Sequence, residues 1–453
     1  MAGPGLSASE RRNPLKETPI TAERPQVEAA AWPHESANAP PPSIIVIVGA
    51  GQAGGWAAQT LRSEGFAGRV VLIGDEAHPP HERPPLSKAV LSGAAAPETT
   101  RLMKPEAFDA LAVQWRPGVQ VHRIDRAAKQ VLLSDGAAQP YDKLILCTGG
   151  RARRLALPGA EQVPLHTLRT IEDAQALAPA LRPGRSVVVV GGGWIGLEVA
   201  ATARQQGADV VVVETQSRLC ERTVPAEVSA YLLALHRAQG VRVLLGAGVR
   251  GFARAADGAV GEGGADSRAE VLLADGSVLA CDTIVLGVGL VPNDELARAA
   301  GLDCEGGVLV DAQCRTSDPD ILAAGDVAVA PNPWAGRSLR LESWQNAQEQ
   351  GMAAARSALG QAVDYQPLPW FWSDQFGVNL QIYGMPTPAH RAVQRGDPAS
   401  GSFVLFYLAG DVVQAAVGAN AARDLRFARR LIEQRKPVDA ERLADLGTQM
   451  AKL

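Results

Sequence analysis

Residues 43–66 read "SIIVIVGAGQAGGWAAQTLRSEGF". Ile44 to Val48 is an unbroken β-branched run, the pattern of a strand buried on both faces. Gly49, Gly51 and Gly54 then give G-x-G-x-x-G, and a helical pattern starts at once. The three glycines have separate reasons: a tight turn, close approach of backbone to a pyrophosphate, and close packing of helix on strand. The helix start supplies free N–H groups and a positive dipole end for phosphates. A second strand, "RVVLIGDE" (69–76), ends in Asp75 and Glu76, where an acid can take a pair of ribose hydroxyls. The glycines alone are weak evidence. Strand, glycines, helix, strand and acid in that order specify a dinucleotide-binding unit.

The pattern recurs. "RSVVVVGGGWIGLEVAATARQQGADVVVVE" (185–214) supplies Gly191, Gly193 and Gly196, and a strand ending in Glu214. Further on, "VLLSDGAAQPYDKLILCTGG" (131–150) and "VLLADGSVLACDTIVLGVGL" (271–290) each read as an Asp-Gly hairpin followed by a buried strand ending in glycine. The glycine motifs lie 142 residues apart and the hairpins 140, so one unit is duplicated with almost no change in length. Two such units bind two dinucleotides. After the second comes "TSDPDILAAGDVA" (316–328), with a short strand expected over Ile321 to Ala324. The second unit is therefore inserted into the first, which resumes here. Asp326 at this strand end can bind a polyol hydroxyl, or simply cap a helix.

The rest of the chain sets bounds. Its 453 residues suffice for two or three domains. Apolar residues make up 46% and charged residues 20%, an ordinary globular composition. A net charge of −4 argues against a nucleic-acid partner. No apolar run reaches the roughly 20 residues that span a bilayer, so no membrane partner is expected. The five cysteines, Cys147, Cys220, Cys281, Cys304 and Cys314, are scattered and form no Cys-x-x-Cys pair. That argues against a disulfide framework and a metal site, and for a reducing cytoplasm. Residues 1–42 hold much Pro, Ala and Glu with no periodic apolar pattern and read as a disordered tail, without a secretory or transit signal.

Just past the first glycine turn and its helix, inside the first unit, stands "PPHERPPLSKAVLSG" (79–93). Flavoproteins that work through a disulfide carry their reactive cysteines near here; this stretch has Arg83, Pro84, Pro85, Ser87 and Lys88 and no sulfur. With "VGAGQAGG" (48–55), "GGGWIGLEVAATA" (191–203), "GVGLVPNDELA" (287–297), "TSDPDILAAGDV" (316–327) and "PWFWSDQFG" (369–377), it resembles the FAD-dependent ferredoxin reductases of bacterial oxygenase systems. These feed Rieske dioxygenases or cytochrome P450 enzymes. The likeness covers about residues 43 to 420. "RPPLSK" and "PWFWSDQ" specify the subfamily; the glycine segments are shared by many flavin reductases.

The resemblance implies an oxidoreductase that accepts hydride from NADH onto FAD and releases electrons singly to a [2Fe-2S] ferredoxin. It implies an α/β fold: two Rossmann-like dinucleotide-binding domains, the second inserted in the first, plus a C-terminal α+β domain. The expected division is a tail over 1–42, an FAD part over 43–165 and 291–361, an NAD part over 166–290 and a C-terminal part over 362–453. Carried over by position, FAD contacts fall on Gly49, Gly51, Ala53 and Gly54 in the first turn, Asp75 at the adenosine ribose, and Arg83 and Lys88 in "ERPPLSK". They continue at Val121 by the adenine, Arg169 in "LRT", Asp326 at the ribityl chain and Trp344 in "ESWQNA" near the ring; apolar residues such as Val121 and Trp344 are more often plain core.

NADH falls to Gly191, Gly193, Ile195, Gly196 and Glu214, with Glu198 near the nicotinamide and Val288 and Gly289 on the far side. Lys88, Glu198 and Trp372 are the expected catalytic residues. A lysine beside the flavin would stabilise its anionic reduced form, though a lysine is ordinarily a surface residue. Glu198 is otherwise a helix carboxylate satisfied by a neighbour. Trp370, Phe371 and Trp372 read as core on their own, and through the resemblance Trp372 becomes a wall of the flavin pocket. Trp194 replaces a frequent tyrosine, and His81 a frequent aromatic.

Two other readings share the fold. One is an NADH oxidase or peroxidase; peroxidases of this fold need a redox cysteine by the flavin, and the nearest in sequence to "RPPLSK", Cys147, falls on a buried strand. An NADH-responsive flavoprotein of the apoptosis-inducing-factor type would oxidise NADH slowly. Monomer and dimer both stay open. The stretch "ARDLRFARRLIEQRK" (422–436) places Arg423, Arg426 and Arg430 at helical spacing, either as a basic dock for an acidic ferredoxin or as an ordinary solvated face.

Overall fold

A computed structural model describes residues 41–255 and 268–453. The tail expected over 1–42 lies, but for its last two positions, outside the described residues. Ile44–Val48 is the middle strand of a five-stranded parallel sheet, flanked by Arg69–Ile73 and Gln114–Arg116 on one side and by Lys143–Leu146 and Ile321–Ala323 on the other. Ile45, Val46 and Ile47 are wholly buried, as an all-apolar run between two covered faces must be. The second sheet repeats this order. Ser186–Val190 stands between Asp209–Val213, which continues to Arg242–Leu244, and Thr283–Leu286, which continues to Leu165–His166.

The two Asp-Gly turns join Gln130–Leu133 to Ala138–Pro140 and Ala269–Leu273 to Val278–Cys281. The return strand Ile321–Ala323 pairs with Lys143–Leu146, so the chain completes the first sheet only after building the second. The strand expected to hold Cys147 ends one residue earlier, and Cys147 follows it, still buried.

The C-terminal part is an antiparallel sheet in the order Trp370–Gln375, Val378–Gly384, Val412–Ala419, Ser402–Ala409, Arg391–Asp397. The helix Ala422–Gln434 lays Leu425, Ala428, Leu431 and Ile432 on it, against Phe406 and Leu408. Truncating a buried aromatic such as Phe406 costs about 3–5 kcal/mol. One core cluster holds Leu86 from the Pro-rich stretch, Val187 and Leu197 from the second unit, and Leu380, Leu405 and Tyr407 from the C-terminal sheet. All three parts therefore meet around residues 86–91. Among the described residues, no helix is long and apolar enough to cross a membrane, and no cluster of three or more His, Cys, Asp or Glu could hold a metal ion.

Candidate functional site

Each glycine turn sits at the carboxyl end of the middle strand of its sheet, where an open α/β sheet places its ligand crevice. Gly49 has φ +105°, and a Cβ there would lie 2.1 Å from the Cys147 carbonyl oxygen. Gly191 has φ +108°, with a Cβ 2.4 Å from the Gly287 oxygen. No side chain fits at either, so at both turns backbone packs directly on backbone. The helices that follow, Gln52–Ser63 and Trp194–Gln205, start at Gly51 and Gly193 with no side-chain cap. Their first N–H groups thus remain available to an anion, as a bound pyrophosphate requires.

Around the first crevice, Arg169 Nη2 donates to Asp326 Oδ2 at 2.8 Å, and Arg83 Nη1 donates to the Arg169 carbonyl at 2.7 Å. Arg83 also pairs with Glu76. The Arg169 Nε–H is buried without a hydrogen-bond partner among the described residues, a donor open to a bound ligand. Asp75 is exposed and makes no hydrogen bond among the described residues. In register, Gly74 rather than Asp75 matches Glu214, because Ile73 and Val213 hold equivalent positions beside Val48 and Val190. Val121 begins the strand Val121–Asp125 in a separate small sheet and packs half-buried against the first unit's core.

In the second crevice, Glu214 accepts the Gly192 N–H at 2.6 Å and the Gln216 N–H at 2.7 Å. The acid at the strand end therefore also holds the glycine turn in shape. Arg218 is spent locally, on the Val224 carbonyl at 2.6 Å, the Ser229 hydroxyl at 2.8 Å and the Glu221 carbonyl at 2.9 Å. Ile195, 46% exposed, projects from the helix start as one of few large apolar side chains open to solvent among the described residues. Gly289, also at positive φ, follows the strand Thr283–Leu286.

Lys88 and Glu198 meet between the two crevices. Lys88 Nζ donates to Glu198 Oε2 at 2.7 Å and to the Pro84 carbonyl at 3.2 Å. The Ser87 hydroxyl donates to the same carboxylate oxygen, and Ser373 donates to Oε1 at 2.6 Å. Thr202, one helical turn beyond Glu198, donates to the Ser87 carbonyl at 2.8 Å. Pro84–Ser87 forms a single 3-10 turn, and its two prolines pre-set the backbone that aims Lys88.

The strand Trp370–Gln375 serves both sides of this meeting point. Alternation sends Phe371 and Ser373 toward the second glycine-turn helix, where Phe371 lies 4.9 Å from the Trp194 ring. It sends Trp370 and Trp372 the other way. Their rings stack at 5.0 Å, Trp344 meets Trp372 edge-on at 5.9 Å, and Tyr383 lies 6.0 Å beyond Trp370. Trp344 opens the helix Trp344–Ala358, which Ser343 caps through the Asn346 N–H.

All five cysteines are free, and four are buried. Burial pushes the Cys147 and Cys281 thiols up to about 12 and raises those of Cys220, Cys304 and Cys314 as well. None is poised as a thiolate.

Sequence reasoning singled out Lys88, Glu198, Arg83, Arg169, Asp326, Trp344 and Trp372, and the structure groups them in these contacts. It missed Ser87, Ser373 and Gln375. The last two were readable, since alternation through "WFWSDQ" puts the serine and the glutamine on the face opposite Trp370 and Trp372.

Residues 43–351 match the family described as pyridine nucleotide-disulphide oxidoreductase, and residues 370–453 match the domain described as reductase C-terminal. The chain is 43% identical to the ferredoxin–NAD(+) reductase component of the anthranilate 1,2-dioxygenase system of Burkholderia cepacia, over 88% of this chain and 97% of that one. It is 41% identical to rhodocoxin reductase of Rhodococcus erythropolis, over 88% and 92%. Putidaredoxin reductase, solved in covalent complex with putidaredoxin, superposes with a TM-score of 0.85 at 38% identity, over 90% of this chain and 97% of that one.

Proposed function

The chain belongs to the pyridine nucleotide-disulphide oxidoreductase family and within it to the ferredoxin–NAD(+) reductases; on that premise we propose that it takes electrons from NADH and passes them through FAD, one at a time, to a [2Fe-2S] ferredoxin serving a dioxygenase or a cytochrome P450. The observation that carries this reading is the Lys88–Glu198 pair, set where two uncapped glycine-turn helices and the C-terminal strand converge, in a protein whose thiols are all held neutral. FAD, when bound, supplies the chemistry that joins a two-electron donor to a one-electron acceptor.

The protein's own part is to bind and to aim. The first turn, through Gly49, Gly51, Ala53 and Gly54, takes the FAD pyrophosphate, with Asp75 at the adenosine ribose and Val121 beside the adenine. Arg83, Arg169 and Asp326 take the middle of the molecule, where the orphaned Arg169 donor fits an anionic ligand. Trp344 and Trp372 wall the ring. The second turn, through Gly191, Gly193 and Gly196, takes the NADH pyrophosphate, with Ile195, Val288 and Gly289 around the nicotinamide and Glu214 on the ribose. Lys88 presents a fixed cation to the ring, and Glu198 holds it in place. Residues 43–165 with 291–361 then form the FAD part, 166–290 the NAD part and 362–453 the C-terminal part. Five unpaired thiols, four of them buried, suit a reducing cytoplasm.

Acid or heat precipitation tests the cofactor. FAD should stay in the supernatant, and its yellow colour in intact protein should bleach with NADH under anaerobic conditions. Colour kept by the pellet, or no bleaching, would contradict the assignment.

A further inference from the structure

Only one oxygen of the Glu198 carboxylate faces Lys88. The other, Oε1, lies 2.6 Å from the Ser373 hydroxyl. Ser373 Oγ lies 2.9 Å from the Gln375 amide nitrogen, and the Gln375 carbonyl oxygen lies 2.7 Å from His236 Nε2. Ser373, Gln375 and His236 are 1%, 3% and 0% exposed, so bulk water offers them no alternative partners. Hydrogen-bond bookkeeping then fixes the direction of every link. The Gln375 carbonyl can only accept, so His236 carries its proton on Nε2. The amide nitrogen can only donate, which uses the serine lone pair and leaves the serine hydrogen for the carboxylate. His236 Nδ1 is left as a bare acceptor and is buried without a partner among the described residues. Burial also holds the ring's pKa below its ordinary value, so it stays neutral.

A second feature acts on the same residues. Phe376, next to Gln375, has φ +52°, and Gly377 has φ +77°. Together they turn Trp370–Gln375 back into Val378–Gly384. A bulky aromatic at positive φ is strained and persists only where its surroundings over-determine it. Here its ring meets the His236 ring edge-on at 5.1 Å. His236 belongs to the helix Ala226–Ala238 of the second unit, so that unit clamps the tip of a C-terminal hairpin by packing and by hydrogen bonding at one residue.

We propose that Ser373, Gln375 and His236 are positioning residues: a one-way hydrogen-bond relay that sets the Glu198 carboxylate and, through it, the Lys88 ammonium. The relay runs from His236 of the second unit through the C-terminal hairpin back to Glu198 of the second unit, and from there to Lys88 of the first. It rests on the reading that the Lys88–Glu198 pair serves flavin reduction.

The test uses the FAD-loaded protein. Gln375→Glu is nearly isosteric and reverses the middle link, because a carboxylate accepts from both neighbours. Ser373 then turns away from Glu198, and His236 gains a second proton. Ser373→Ala deletes the link, and Ser373→Thr keeps the hydroxyl. In ¹⁵N-histidine spectra, wild-type His236 should be the Nε2–H tautomer, and in Gln375→Glu it should be the imidazolium. In stopped flow, the limiting rate of flavin reduction by NADH should fall on the order of ten-fold in Gln375→Glu and Ser373→Ala, with the Kd for NADH within about two-fold of wild type. Ser373→Thr should recover most of the rate.

An Nδ1–H tautomer in wild type would overturn the relay. So would wild-type rates in both variants when Lys88→Met is slow. If Lys88→Met itself reduces at the wild-type rate, the failure lies one step earlier, in the reading of the Lys88–Glu198 pair, and the relay falls with it.

Discussion

Lys88 and Glu198 stand 110 residues apart in the chain and 2.7 Å apart in space. Their burial is unequal: the lysine side chain is 21% exposed and the glutamate 4%. Removing one partner of a buried pair costs more when the charge left behind is the more deeply buried one. Lys88→Met should therefore destabilise the protein by about 3–5 kcal/mol, and Glu198→Gln by clearly less, since the lysine left behind can reach water. Denaturant melts of the two single variants and the double variant check this. Equal losses would show that water reaches Glu198. Both single variants should slow flavin reduction, and the double should recover stability without recovering rate.

Glu214 should make the protein prefer NADH over NADPH. A 2′-phosphate beside this carboxylate loses the ribose hydrogen bonds and adds like charge, a penalty of about 2 kcal/mol, or roughly 30-fold in kcat/KM. Arg218 cannot offset it, being held by Val224, Ser229 and Glu221. Because Glu214 also holds the glycine turn, Glu214→Ala should impair both coenzymes, while Glu214→Gln should narrow the gap. Equal kcat/KM values for the two coenzymes in wild type would show that Glu214 does not face the ribose.

Much of the fold could be read from local pattern. The β-branched runs at 44–48 and 186–190, their glycines and the two Asp-Gly turns each fix an element with a short-range signal, and the repeat fixes their order. The strand Arg391–Asp397 carried no such signal. It is an edge strand whose exposed residues include Arg391, Gln394 and Asp397, and its inward Arg395 is a residue type expected at the surface. Arg395 is buried because it gathers the Leu443, Asp445 and Thr448 carbonyls and pairs with Asp424, tying down the C-terminus. The site divides the same way. Lys88 and Glu198 were each legible, but their pairing crosses two units. His236 had no signal, since its partner lies 139 residues away.

The thiols should resist alkylation in the native state. Burial favours the neutral form, so Cys147 and Cys281 stay protonated up to about 12. Cys304, half-buried, should react first with iodoacetamide at pH 8, followed at unfolding by the rest. Mass spectrometry gives the order, and modification of Cys304 should leave NADH-dependent turnover unchanged. The sign of the pH effect follows. A thiol whose folded pKa is raised contributes stability that is intact below the ordinary value of about 8.5 and is lost as pH climbs toward about 12. Stability rising over that range would contradict these burials.

The arginine-rich helix should dock the electron acceptor through only part of its stripe. Arg429 is paired with Glu433 at 2.9 Å, Arg430 reaches the Ala451 carbonyl and lies over the Phe427 ring, and Arg435 lies over the Trp334 ring. Arg423 and Arg426 are exposed and without a partner among the described residues. The charge reversal Arg423→Glu with Arg426→Glu should slow ferredoxin reduction by an order of magnitude at low salt and leave NADH-to-flavin reduction intact. Ferredoxin reduction at the wild-type rate would place the dock elsewhere.

The most direct measurement is cytochrome c reduction by NADH with and without an added [2Fe-2S] ferredoxin. Turnover should rise at least ten-fold with ferredoxin, saturate with its concentration, and reduce two cytochromes per NADH, as single-electron release from a two-electron donor requires. NADH consumption that is fast without ferredoxin, unchanged by adding it, and matched by peroxide or water formed from oxygen would contradict the assignment.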